Sequence, residues 1–245
     1  MEREQNGGLH LNYLNLLSTL GIGGAHPGGI LLTKAIFENE RFPLDKAILD
    51  AGCGTGQTAS YLYQLGYDVT GLDKDSQMIE HAKKRNEQLN FQITYLNEDL
   101  AQTSIPTNTY DIILCESVLN FTSLQHTLPE VFRILKREGV VIAIEMVRNE
   151  HLTKEEEIEL TTFYGCDYIF SIEEWKEEFL QGDLSIYKIL SYEDLQILNN
   201  DEPTTEFTPI HSIPEITYQL LSEHERLTNK YQNKLSYRIL FARKC

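Results

Sequence analysis

Basic residues are scarce in this chain of 245 residues: 21 Lys and Arg stand against 37 Asp and Glu, a formal net charge of −16. A protein that grips a phosphate backbone normally carries a basic face, because cation contacts supply much of that affinity. The short clusters Lys83-Lys84-Arg85 and Lys136-Arg137 sit where solvated helix residues are expected. The charge therefore points away from nucleic acid and toward a small-molecule partner. Cysteine is thin as well. Cys53, Cys115, Cys166 and Cys245 are scattered with no C-x-x-C pair, which suggests neither a metal site of the zinc type nor a disulfide framework. No apolar run approaches the length of a membrane span. The start, Met1-Glu-Arg-Glu-Gln-Asn-Gly-Gly, is too polar for a secretory signal. A cytoplasmic protein without membrane contact is expected. Internal repeats and low-complexity tracts are also missing, and a hydrophobic content of 41% is enough for the core of one α/β domain.

What the chain does have is a glycine turn. Ile48 and Leu49 end a short apolar run that reads as a buried parallel strand. Asp50-Ala-Gly52-Cys-Gly54-Thr-Gly56 follows at once, and Gln57 to Leu65 then reads as a helix. Glycines there let the backbone bend sharply and lie against a ligand that a Cβ would push away. The next strand, Asp68 to Leu72, closes on Asp73, where a carboxylate can accept hydrogen bonds from both hydroxyls of a ribose. The glycine spacing is G-x-G-x-G, not the G-x-G-x-x-G of a pyrophosphate-binding dinucleotide turn.

This unit resembles that of the class I S-adenosylmethionine-dependent methyltransferases of small-molecule type. Further segments match that family in order over roughly residues 45 to 145. Ser76-Gln-Met78-Ile-Glu-His-Ala82 is similar to the helix whose Met-type side chain sits by the adenine. Tyr95-Leu-Asn-Glu98-Asp99-Leu100 is similar to the segment whose acid meets the adenine amino group, and either Glu98 or Asp99 can be that acid. Tyr110 to Leu119 resembles the fourth strand and the start of the substrate-facing loop. Arg133 to Glu145 resembles the R-x-L-K-P-G-G turn into the fifth strand, but Arg137 and Glu138 stand where proline and glycine are usual. That turn is expected to differ locally. The resemblance implies a doubly wound, mostly parallel seven-stranded α/β sheet of Rossmann-like methyltransferase fold, S-adenosyl-L-methionine as cofactor, and a small-molecule methyl acceptor.

Three stretches are expected. Residues 1–44 form a helical N-terminal arm, with a helix over 9–20 ended by Gly21, a glycine-rich loop to Gly29, and a second helix over 30–37. Residues 45–148 form the cofactor-binding core, where strands and helices alternate. Residues 149–245 complete the same domain. They comprise acid-rich helices with capping boxes at Thr153-x-x-Glu156 and Ser171-x-x-Glu174, a strand at 183–190, and an irregular insertion at 191–214. A helix over 215–232 and a final edge strand over 235–241 end the chain.

The expected cofactor residues are Gly52, Gly54, Gly56, Asp73, Met78, Asp99, Leu100 and Glu116, the last at the carboxyl end of a strand where ligands bind in open α/β sheets. Gly56 also suits close helix–strand packing, Met78 also suits a core, and Glu116 can face either cofactor or substrate. Methyl transfer needs positioning and exclusion of water more than acid–base chemistry, so catalytic residues leave little trace. If a base is used, His26 in the Ala-His-Pro-Gly-Gly loop is its candidate; otherwise it is an exposed loop histidine. Asn120 and Tyr13 are candidates to orient an acceptor, and Tyr13, Tyr164, Tyr168 and Trp175 to line an aromatic pocket or pack as core. The glycine-rich loop suggests a lid over 9–29. Two other readings remain at this point. A non-catalytic S-adenosylmethionine-binding module or partner subunit would lack an enclosed acceptor pocket. A nicotinamide-dependent oxidoreductase would need the third glycine one place later and a Tyr/Lys pair.

Overall fold

The computed structural model describes residues 13–195, 206–207 and 213–245. The arm comprises α1 (Tyr13–Leu20), a two-residue strand β1 (Ile22–Gly23) and α2 (Gly29–Glu40). β2 (Ala47–Ala51), α3 (Gln57–Gln64), β3 (Asp68–Asp73), α4 (Ser76–Leu89), β4 (Thr94–Asn97), β5 (Tyr110–Glu116), α5 (Leu124–Ile134) and β6 (Leu135–Arg148) follow in alternation. The chain then runs through α6 (Lys154–Tyr164), α7 (Ile172–Gln181), β7 (Leu184–Leu190), β8 (Glu206–Phe207), α8 (Glu215–Tyr231) and β9 (Leu235–Lys244).

The main sheet has seven strands in the order β4-β3-β2-β5-β6-β9-β7. The first five are parallel, and β9 runs antiparallel to both neighbours. Because successive strand residues face opposite sides, adjacent apolar residues feed two separate layers. Ile48, Ile112 and Ile142 pack with Leu32, Ile36, Leu62 and Ile79 of α2, α3 and α4. Leu49, Ile113 and Val141 pack on the other face with Leu128 and Val131 of α5 and with Trp175 and Phe179 of α7. A sheet apolar on both faces and covered by helices on both is the doubly wound arrangement. α6 and α8 form a smaller cluster of their own around Leu160, Tyr164, Leu227 and Tyr231.

Both capping boxes form: Thr153 and Glu156, and Ser171 and Glu174, satisfy each other's orphan amides. The segment with Arg137 and Glu138 carries the expected local departure. Tyr110 pairs with Leu135 but Ile112 pairs with Val140, so the intervening residues of β6 bulge from the ladder.

One expectation is corrected. The last strand is not an edge: β9 lies between β6 and β7, and β7 is the edge. The alternation seen over 235–241 gives way to a continuous buried run, Ile239 to Ala242, as a strand covered on both faces requires. Of the arm helix expected over 9–20, residues 9–12 lie outside the described residues. Most of the 191–214 insertion does too, but β8 within it pairs antiparallel with β1. Glu206 of β8 binds Arg85 of α4, and Arg85 also donates to the Thr55 carbonyl at 3.0 Å. Among the described residues, no helix is long and apolar enough to cross a membrane.

Candidate active site

The carboxyl ends of β2, β3 and β5 meet at the glycine turn. Gly52 and Cys53 both donate to the Leu72 carbonyl, at 2.7 and 2.9 Å, which folds the turn back onto β3. Gly52 has φ +77°, and a Cβ there would meet Val118 Cγ2 at 2.3 Å. Gly54 has φ +51°, and a Cβ there would meet nothing within 4 Å. Gly52 is therefore demanded by the protein itself, whereas Gly54 leaves bare backbone beside open space. At Gly56 a Cβ would strike the Tyr95 hydroxyl at 2.6 Å, so this glycine serves the packing of α3 against β4.

Asp73 ends β3 with its carboxylate already in use. Oδ2 accepts from Gly54 N and Oδ1 from Asp75 N, each at 2.9 Å. One acidic residue thus holds the glycine turn and the start of α4 in register, and each oxygen keeps a lone pair for a ligand. Burial raises its pKa above the usual carboxylate value. Of the adjacent acids, Glu98 turns away, accepting from Ser104 N and Oγ at 2.8 and 2.6 Å. Asp99 and Leu100 line the cavity with Met78.

Glu116 ends β5 with its side chain 7% exposed. It accepts hydrogen bonds from Thr33 Oγ1 and, at 2.7 Å, from Thr58 Oγ1. His26 is not an exposed loop residue. It is 8% exposed, with Nε2 3.3 Å from Glu116 Oε2 and Nδ1 3.3 Å from the Pro27 carbonyl. Nδ1 makes the hydrogen bond, whereas Nε2 lies beside Glu116 without a hydrogen-bond partner among the described residues, so the ring packs the arm against Glu116. Beside them Asp50 is fully buried. Its carboxyl is pushed well above the usual range, first by desolvation and then by the charge of Glu116, and Oδ2 has no partner among the described residues.

Glu145 on β6 organises the loop after β5. Its carboxylate accepts from Val118 N at 3.1 Å, Leu119 N at 2.8 Å, and Asn120 N and Nδ2 at 3.3 and 2.9 Å. Burial pushes it up to about 7 against the pull of those four donors. The same contacts fix Asn120 in the buried wall and leave its Oδ1 unpartnered among the described residues.

These parts surround one cavity of about 630 Å³. Asp50, Gly52, Gly54, Asp73, Met78, Asp99, Leu100 and Glu116 line one end, with His26, Asn120 and Tyr13 further along; Gly56 does not line it. The far wall comes from α1, α6, α8 and β9. Tyr13 packs edge-on to Tyr164 and against His224, with ring centroids 5.1 Å apart in both pairs. Phe121, Tyr231 and Tyr237 complete it. Trp175 is instead core, donating to the Met146 carbonyl at 3.3 Å, and Tyr168 is 60% exposed. Both the arm and the segment 149–232 therefore enclose a pocket beyond the glycine turn.

Comparison with known proteins agrees with this geometry. Residues 49–143 match the family of methyltransferase domains. Over 235 residues, covering 95% of this chain and 99% of the relative, the sequence is 36% identical to an uncharacterized methyltransferase, YodH, of Bacillus subtilis (strain 168). The chain belongs to the class I S-adenosylmethionine-dependent methyltransferases. Among solved structures, MccD protein superposes with a TM-score of 0.71 at 14% identity, over 91% of this methyltransferase and all of that chain, 100%. The geranyl diphosphate C-methyltransferase of Streptomyces coelicolor A3(2), in complex with Mg2+, geranyl-S-thiolodiphosphate and S-adenosyl-L-homocysteine, superposes with a TM-score of 0.66 at 14% identity, over 87% of this methyltransferase and 76% of that chain. At such identities the likeness is one of fold.

Several residues of the methyltransferase's site carried no usable signal in the sequence. Thr33 and Thr58 are ordinary helix residues until Glu116 is placed against them. Glu145 is readable as part of a strand, but not as the anchor of a loop whose residues lie 25 to 27 positions earlier. His224 sits in Ser-Glu-His-Glu-Arg, a run that reads as a solvated helix face, and only the placement of α8 against α1 and α6 brings it to the cavity.

Proposed function

We propose that this methyltransferase binds S-adenosylmethionine at the glycine-turn end of the cavity and transfers its methyl group to a small molecule held at the aromatic end. The observation that carries the reading is the single cavity joining the two ends. The bare approach at Gly54 and the free acceptor positions of Asp73 fit a ribose-bearing cofactor. In this reading Asp73 accepts from the ribose hydroxyls, while Met78, Asp99 and Leu100 flank the adenine. Glu116 and the unpartnered Oδ2 of Asp50 attract the cofactor's amino group, with Gly52 shaping the turn and Gly56 supporting it from behind. The sulfonium supplies an activated methyl group, so the protein's work is to hold the acceptor in line and keep water out.

Tyr13 and Asn120 belong to the acceptor side. His26, packed against Glu116, fits a cofactor-side clamp better than a base, and its loop then closes the arm 1–44 over the core 45–148 as a lid. The remainder, 149–245, supplies the rest of the acceptor wall. An acidic chain with an aromatic acceptor end supports a small-molecule acceptor over a nucleic acid.

Calorimetric titration tests the cofactor assignment: S-adenosylhomocysteine is expected to bind and NAD is not. NAD binding with no response to S-adenosylhomocysteine would overturn it. His26→Ala should weaken S-adenosylhomocysteine binding; intact affinity with lost turnover would return His26 to the acceptor side.

A further inference from the structure

We propose that Arg85 is a positioning residue of the cofactor site: it fastens the arm strand β1 and the insertion strand β8 together onto the glycine turn, and the cofactor leaves only when its pair with Glu206 opens. This rests on the assignment of the glycine-turn end of the cavity to S-adenosylmethionine.

The basic run Lys83-Lys84-Arg85 divides in the fold. Lys83 and Lys84 are exposed, with Lys84 paired to Glu80 at 2.8 Å. Arg85 turns inward, and its side chain is only 18% exposed. Its planar fork reaches two places at once. Nε donates to the Thr55 carbonyl at 3.0 Å. The terminal nitrogens face the two carboxylate oxygens of Glu206, Nη1 to Oε1 at 3.4 Å and Nη2 to Oε2. A lysine, with one nitrogen, could not span both partners. Thr55 lies between Gly54 and Gly56, so Arg85 grips the same turn that Asp73 holds through Gly54 N.

These contacts close a ring. Glu206 is the register partner of Gly23 in the β1–β8 ladder, so the residue that meets Arg85 by its side chain meets the arm by its main chain. Gly23 in turn lies on Thr55, where a Cβ would come within 2.7 Å of Oγ1. The path from Thr55 to Arg85, Glu206, Gly23 and back to Thr55 joins the turn, α4, the insertion and the arm. From Gly23 the chain runs on through Gly24, Ala25, His26 and Pro27 along the cavity wall. Whatever fastens β1 therefore also sets the wall that a cofactor at the turn meets. At the inner end of this loop His26 packs against Glu116; Arg85 secures the outer end. A ladder of two-residue strands is too short to hold itself down, whereas a fork shared by a carboxylate and a carbonyl is directional and charge-assisted. Both side chains of the pair keep some contact with water, so opening it strands no buried charge. The fastening is reversible, as a cover over an exchanging ligand requires.

The test follows the loss of radiolabelled S-adenosylhomocysteine from the full-length protein after a chase with unlabelled ligand. Glu206→Gln keeps the size of the side chain and removes its charge. It should raise the dissociation rate about tenfold, the order expected for one charge-assisted contact. Arg85→Lys should act the same way, because one nitrogen cannot serve both partners. Arg85→Glu should be at least as fast, since two carboxylates then face each other. Adding Glu206→Arg to it restores an opposite pair at the same place and should recover part of the loss. Hydrogen exchange gives a readout that needs no ligand. In Glu206→Gln the amides of residues 22–26 should exchange faster, while those of Gly52 and Cys53, bonded to the Leu72 carbonyl, should not change. Unchanged dissociation rates in folded variants, no recovery in the double variant, or faster exchange spread evenly over the sheet would each overturn the proposal. Failure of wild type to bind S-adenosylhomocysteine would instead overturn the cofactor assignment, and the exchange comparison would still decide whether Arg85 fastens the two strands.

Discussion

At the glycine-turn end the cavity wall is main chain and carboxylate, drawn from residues 50, 52–54, 73 and 99. At the other end it is aromatic rings, drawn from residues 13, 121, 164, 224 and 237. The first set is held by backbone hydrogen bonds, such as Gly52 N and Cys53 N to the Leu72 carbonyl and Gly54 N to Asp73. The second is held by ring contacts between helices, such as Tyr13 with Tyr164 and His224. A backbone-built site needs particular residues at particular spacings and tolerates little change. A side-chain wall needs only shape and polarity, so it can be reassembled for another acceptor without disturbing the turn.

Substitution in the turn should break this contrast most visibly. Gly52→Ala places a Cβ 2.3 Å from Val118 Cγ2 at a φ of +77°. Strained backbone and overpacking together should lower stability by about 2–5 kcal/mol. Gly54→Ala has only the backbone term, so it should stay folded yet lose S-adenosylhomocysteine binding. Melting curves paired with titrations compare them; equal melting points would mean that Val118 gives way freely.

Asp73→Ala comes next. Loss of a charged acceptor should weaken S-adenosylhomocysteine binding by about 2–3 kcal/mol. Stability should fall too, because Gly54 N and Asp75 N lose their partner. An unchanged dissociation constant in a folded variant would remove Asp73 from the ligand's contacts.

Glu145 joins the two ends through the 118–120 loop, and it makes stability depend on pH. Its carboxyl is raised from 4.5 to about 7 in the fold. Stability from this group is therefore complete below about pH 4.5 and is lost as pH rises through about 7, by at most about 1.4 kcal/mol per unit for one proton. Denaturant midpoints of Glu145→Gln should show a flatter pH dependence over that window than wild type. The same slope in both would assign the dependence to another group.

Tyr13→Leu should have the smallest effect, about 1 kcal/mol from lost ring contacts. It should appear as a several-fold rise in the acceptor's KM with S-adenosylhomocysteine affinity unchanged. A matching loss of cofactor affinity would mean that the two ends are not separable.

The order of strands and helices from 48 to 145, the glycine turn and the placement of Asp73 were legible in the sequence because each depends on neighbours in the chain. A turn requires small residues within a few positions, and strands and capped helices carry periodic or terminal signals. Met78 and Asp99 came from the family resemblance and Glu116 from its position at a strand end, and all three line the cavity. The choice between Glu98 and Asp99 was not legible, since one residue of chain direction decides it. Whether β9 is an edge or an interior strand depends on β7 docking beside it, and a strand's own pattern shows only how its faces are covered. The burial of His26 against Glu116, the anchoring of 118–120 by Glu145, and the meeting of Tyr13, Tyr164 and His224 join residues from 25 to more than 200 positions apart. No local pattern encodes such meetings: the sequence by itself determined the glycine-turn end, and only the packing of α1, α6 and α8 over the sheet decided which side chains form the aromatic end.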